Sequence, residues 1–176
     1  MLPAYAVHRI MLHAVGHASL LHTLVTVAAF VPIGPKVETQ IGTTGFLVLV
    51  LELIIILAVF YLSVTFFVPE VAHVWPMTTE CVGGFSAVLL ALVVIYAYKF
   101  TYAESVKLYG LVTVPTPAAP WVLFVAFLLV PGASTTGHHL CGIIVGYAYI
   151  GGLLEPFSVS EKRLRWLEGF RLLASV

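Results

Sequence analysis

The chain is 176 residues long, 61% hydrophobic and only 9% charged, and its eight Lys/Arg balance its eight Asp/Glu. A soluble domain carries about a quarter charged residues, so this chain cannot cover a water-facing surface. Its mean hydropathy of +1.07 places it in lipid. Zero net charge leaves no basic footprint for nucleic acid. The two cysteines, Cys81 and Cys141, each lie against a helix start and form no disulfide framework.

Met1 to Arg9 has no basic stretch followed by a short apolar core, so no cleavable signal peptide is expected. Five apolar runs follow, long enough to cross or nearly cross a hydrocarbon core of about 30 Å. They run from Ile10 to Ile33, Thr43 to Val68, Val82 to Tyr98, Ala118 to Val130 and His138 to Leu154. Pro32, Pro35, Pro69, Pro76, Pro115, Pro117, Pro120, Pro131 and Pro156 cluster at the gaps between them, where a residue without a backbone donor punctuates helices. The expected fold is therefore an all-α integral membrane bundle of five transmembrane helices, spanning residues 1–157.

Positive charge sets the direction of the spans. With alternating segments, Lys36, Lys99, Lys107, Lys162, Arg163, Arg165 and Arg171 fall on one side and only Arg9 on the other. The even loops and the C-terminus are therefore expected in the cytosol. The loop from Glu70 to Glu80, the loop from Gly132 to Gly137 and the N-terminus are expected on the lumenal or external face. The tail, residues 158–176, places Leu164, Leu167, Phe170 and Leu172 among basic residues, which suits a short amphipathic helix on the cytosolic surface or a plain positive anchor.

Polar groups within spans are costly and tend to mark function. His13, His17 and His22 sit in the first half of segment one, Ser86 just inside segment three after Gly83 and Gly84, and His138 and His139 at the start of segment five. These segments run in the same direction, so the residues share one depth, a little below the lumenal face. Ala87 and Ala91 make a small-residue stripe beside Ser86, and Gly142 and Gly146 make a GxxxG stripe one turn beyond His139. Such stripes let helix backbones approach closely in lipid, which can bring a serine within reach of a base that activates it. A serine in a span also commonly bonds back to its own helix, and GxxxG pairs occur without chemistry. Spacing by itself leaves a protease, a transporter, a channel and a passive scaffold open. Glu52, deep in segment two, is either a functional group or a protonated carboxyl bonded to a neighbouring helix.

The ordered motifs resemble the rhomboid intramembrane proteases. His13, His17 and His22 followed by Thr26 resemble the histidine-rich second helix of that family with its HxxxN ending. Gly34 to Glu38 resembles its GxxxE turn, Gly84-Phe85-Ser86-Ala87 its GxSG nucleophile motif, and His139, Gly142 and Gly146 its HxxGxxxG pattern. The stretches Val114 to Trp121, Val130 to Ser134 and Gly146 to Tyr149 look in particular like the small fungal Golgi rhomboids. The resemblance implies Ser86 as nucleophile and His139 as general base, with no third acid, and an oxyanion hole formed by the Ser86 N–H and the His22 side chain. Gly84 and Thr26 would support that hole, and His13 and His17 would organise the polar cavity and retain water. Glu38 would brace the cytosolic turn, and His138 would be a neighbour rather than the base.

The sequence departs from the pattern in three places. Thr26 stands for the asparagine of HxxxN, Ala87 for the second glycine of GxSG, and the family's first helix and most of its first lumenal loop, with a Trp-Arg pair, are absent. The implied function is an intramembrane serine endopeptidase that cleaves single-pass membrane proteins in the bilayer, with no metal and no cofactor. It would be a multi-pass protein of the secretory pathway, at the Golgi membrane. The competing reading is a catalytically inactive, derlin-like rhomboid fold that binds membrane clients. Paired charges along a path, or the internal repeat of a transporter, do not appear. The sequence does not name the substrate or any cytosolic partner of the tail.

Overall fold

The computed structural model describes residues 12–17, 19–67, 83–101, 103–109, 111–130, 136–159, 166 and 169. The expected loop from Glu70 to Glu80, residues 132–135 of the expected second loop and most of the tail lie outside the described residues, while Thr136 and Gly137 of that second loop are already helical. Within them, α1 is Leu20–Phe30, α2 is Gly34–Phe67, and α3 is Ser86–Ile95, which continues as a π-turn over Tyr96–Phe100. A hairpin follows, with β1 at Ser105–Leu108 and β2 at Val112–Pro115. α4 is Ala119–Leu128 and α5 is Thr136–Ile150.

The bundle is arranged around α3. Every residue from Ser86 to Ile95 is buried, which is how a helix apolar on all sides behaves at the centre of a structure. The other helices present apolar residues both inward and outward. On α2, Leu49, Leu53, Leu57 and Tyr61 form a buried stripe, while Leu47, Leu51, Ile55 and Val59 form an exposed apolar one. Leu20, Leu24 and Val27 on α1 and Val125 on α4 are likewise exposed. An apolar exterior of this extent suits lipid and not water.

Among the described residues, α2 alone is long and apolar enough to cross a bilayer without help; α1, α3 with its π-turn, and the α4 region are shorter apolar helices. With its π-turn α3 covers 15 residues, a rise of about 22 Å against a core of roughly 30 Å. If its far end reaches one surface, its N-terminus and Ser86 must lie below the other.

α2 is kinked. Gly42 takes φ 75° and ψ 161°, a conformation closed to residues with a Cβ, and separates a short entry turn from the spanning rod. The Thr43 hydroxyl donates across this kink to the Glu38 carboxylate at 2.7 Å. The expected deep carboxyl, Glu52, accepts from the Val159 backbone N–H. Its partner is thus the chain beyond α5 and not a neighbouring helix.

Two features differ from the sequence reading. Segment one was expected to be one helix from Ile10, but among the described residues Leu12 is helical, a turn runs through His13 and an irregular stretch through Gly16 and His17, and the helix α1 begins at Leu20. Ser19 is extended, and its side chain accepts from the His22 N–H at 3.2 Å, the geometry of an N-cap. The hairpin was not expected at all. It pairs Ser105 with Pro115 and Leu108 with Val112, and it buries Leu108 and Val114 in the common core.

The tightest interface joins α3 and α5. A Cβ at Gly142 would stand far inside the van der Waals contact distance of the Ala87 carbonyl oxygen, and one at Gly146 would stand 2.8 Å from Val94 Cβ and 3.0 Å from the Ala91 carbonyl. Gly142→Ala should therefore lower the thermal midpoint in detergent by the equivalent of about 1–3 kcal/mol, the usual cost of overpacking. Gly16→Ala, whose Cβ would meet nothing within 4 Å, is the control and should leave the midpoint unchanged.

Candidate active site

Ser86 is the first residue of α3, and His139 lies in the first turn of α5. Both side chains are fully buried. Ser86 Oγ and His139 Nε2 are 2.9 Å apart, the distance of a hydrogen bond between a nucleophile and its base. The α3–α5 contact produces this distance. Ser86 directly precedes Ala87, and His139 lies one turn before Gly142, so the helices meet hardest just below the pair.

The His139 ring is held by aromatic packing. Phe127 of α4 stacks on it at 5.2 Å between centroids and 10° between planes, and His22 meets it edge-on at 5.9 Å. No sequence signal singled out Phe127, because aromatic residues are frequent throughout these segments. His138 points elsewhere, edge-on to His13 at 5.8 Å and to Tyr61 at 5.6 Å.

The turn before Ser86 is strapped down by the irregular stretch ahead of α1. The Gly84 N–H donates to the His13 carbonyl at 2.7 Å, and the Phe85 N–H points to His17 Nε2 at 3.4 Å. A Cβ at Gly83 would stand 2.6 Å from the Gly16 carbonyl oxygen, so the strap and the turn touch backbone to backbone. The first N–H groups of a helix have no partner within it. With Phe85 as N-cap offering no side-chain bond, the start of α3 presents such donors, at the positive end of the helix dipole.

His22 is fully buried, and neither ring nitrogen has a hydrogen-bond partner among the described residues. Its Cε1 lies 3.1 Å from where a Gly84 Cβ would stand, which sets the ring against the turn carrying Ser86. Thr26 is also buried, but its hydroxyl donates to the His22 carbonyl at 2.8 Å. It bonds its own helix, as a buried hydroxyl commonly does. Ser86, His139, His22, Gly84 and His17 therefore converge, while the Thr26 hydroxyl is committed below them. No group of His, Cys, Asp or Glu suited to a metal ion occurs among the described residues, and Cys141 is a free, buried thiol.

A buried serine–histidine pair thus stands at the start of a central helix, within a bundle whose exterior is apolar. The Rhomboid domain profile matches residues 5–156, and the chain belongs to the rhomboid family. It is 31% identical to Rhomboid-like protein 15 of Arabidopsis thaliana over 94% of this chain and 43% of that protein. It is 32% identical to human Rhomboid-related protein 4 over 84% of this chain and 46% of the relative. With Rhomboid-type serine protease 2 of Gibberella zeae the figures are 29%, 86% and 55%. The chain thus spans about half the length of these curated relatives. No solved structure matches it.

Gly84 takes φ 112°, where any Cβ is strained. Gly84→Ala adds that strain, about 1–3 kcal/mol, to a tight approach to His22. It should sharply reduce labelling of Ser86 by a fluorophosphonate probe while the protein remains folded by circular dichroism.

Proposed function

We propose that the chain is an intramembrane serine endopeptidase that cleaves single-pass membrane proteins, with Ser86 as nucleophile and His139 as general base. The observation that carries this reading is the 2.9 Å contact between Ser86 Oγ and His139 Nε2 in a water-poor interior, which has little structural use for a buried polar pair.

The chemistry follows from the geometry. Ser86 Oγ attacks the scissile carbonyl carbon as its proton passes to His139 Nε2. The carbonyl oxygen gains the negative charge, and the Ser86 N–H and the His22 side chain are the donors that would receive it. His139 then gives its proton to the leaving amine as the C–N bond breaks, which leaves an ester on Ser86. A water that loses its proton to the same nitrogen attacks this ester, and the acid product leaves as Ser86 regains a proton. A third acid is not required to orient the base, because the Phe127 ring fixes the plane of the imidazole. Thr26 acts indirectly, through the backbone of His22.

A substrate helix would enter sideways from the bilayer and unwind locally to expose its amide. We further place the chain in the secretory pathway, at the Golgi membrane, with residues 158–176 on the cytosolic side. This assignment rests on the charge asymmetry and on likeness to the fungal relatives.

Fluorophosphonate labelling in lipid nanodiscs tests the reading. Wild type should label, and Ser86→Ala and His139→Ala should not. Loss of cleavage of a reconstituted single-pass substrate should follow the same pattern. If labelling does not depend on Ser86, the client-binding, derlin-like reading takes its place.

The two oxyanion candidates separate in kinetics. His22→Phe should lower kcat by about 10²–10³, the cost of losing one such donor. Thr26→Val should change kcat by less than about tenfold, since the Thr26 hydroxyl is spent within α1.

A further inference from the structure

At one end of the bundle, α1 hands over to α2, the π-turn follows α3, and the hairpin leads into α4. Lysines arrive there from separate elements: Lys36 from the entry turn of α2, Lys99 from the π-turn and Lys107 from β1. Lys36 and Lys107 line the same opening, together with Tyr96 and the apolar Pro32, Val106 and Ala119. The opening measures about 320 Å³ including its mouth. No carboxylate is among the lining residues described.

Both lysines are exposed, but Lys36 is not placed like an ordinary surface lysine. Lys36 Nζ lies over the Tyr96 ring at 5.6 Å, and nearby Lys99 Nζ lies over Tyr149 at 4.9 Å. An aromatic face steadies an ammonium without neutralising it. The Lys36 charge is thus held in place and bordered by apolar walls, with Lys107 on the same opening. A free inorganic anion has no use for those walls. A lipid has, since its phosphate meets the ammonium groups while its glycerol and upper acyl carbons meet Pro32, Val106 and Ala119.

We propose that the opening framed by Lys36, Tyr96 and Lys107 binds the phosphate of an anionic membrane lipid. The hairpin has a part in this, because pairing β1 with β2 carries Lys107 to the face where Lys36 stands. Such a lipid would join the α1–α2 connection to the hairpin, two pieces of chain that sit at the same end of the bundle but are distant in sequence.

The test uses the full chain in nanodiscs of phosphatidylcholine, with and without phosphatidic acid, read by thermal midpoint and by native mass spectrometry of retained lipid. Wild type should retain phosphatidic acid and gain thermal stability from it. Lys107→Gln, an exposed strand substitution, should weaken retention on the order of fivefold. Lys36→Gln with Lys107→Gln should abolish the thermal gain, and the corresponding double arginine variant should restore it. An unchanged response in Lys107→Gln and the double glutamine variant would overturn the proposal, because it would assign the effect to the overall field of the protein. So would an equal rise produced by inorganic phosphate in phosphatidylcholine alone. Labelling of Ser86 is expected to be the same in all of these variants.

Discussion

The backbone contact between Ala87 on α3 and Gly142 on α5 is the constraint on which the rest of the molecule depends. In lipid, apolar surface is not driven together by water, so helices associate through close packing and short polar contacts. A glycine facing a carbonyl oxygen permits the nearest approach two helices can make, with Cα–H groups against oxygen. Ser86 and His139 ride on the same two helices just beyond the contact. The separation of the helices thus sets the separation of the Ser86 and His139 side chains. Ala87 occupies the position where the family pattern has a second glycine, and the approach survives because Gly142 supplies the missing space.

Around that contact the structure solves a second problem, which is holding polar groups inside an apolar solvent. α3 is buried along its whole length and too short to cross the bilayer, so its N-terminus lies within the bundle. The stretch from His13 to His17 closes over it with backbone and imidazole bonds. Phe127 and His22 close the sides. Imidazole suits this environment: it can be neutral, and its ring packs against aromatic neighbours as well as accepting or donating a proton.

Legibility from the sequence varied with the range of the interaction responsible. α2, α4 and α5 lie close to the runs read from hydropathy, because the cost of putting polar backbone or side chains in lipid acts locally. The start of α1 was misread because His13 to Ala18 is apolar enough to continue a helix. What ends it is the capping bond of Ser19 and the demand of Gly84 for the His13 carbonyl, and the latter partner lies about seventy residues away. The hairpin was missed because its strands are four residues each, too short for an alternating pattern, and because Leu108 and Val114 are ordered by the core beneath them. Glu52 and Thr26 are cases of the same kind. Each is a polar residue in a span, and only the fold shows that one holds the Val159 N–H and the other its own helix.

By itself, then, the sequence determined that the chain lives in a membrane, where its main apolar helices run, and which polar residues share a depth. Solvation is paid residue by residue, so it is written in composition and spacing. The resemblance had already implied His139 and not His138 as the partner of Ser86; only the tertiary structure decided that Phe127 stacks on that ring, that the Thr26 hydroxyl is spent on its own helix, and that Lys107 shares an opening with Lys36. Those outcomes turn on the rotation of one helix against another, to within an ångström or so, and side-chain packing between distant segments sets that rotation.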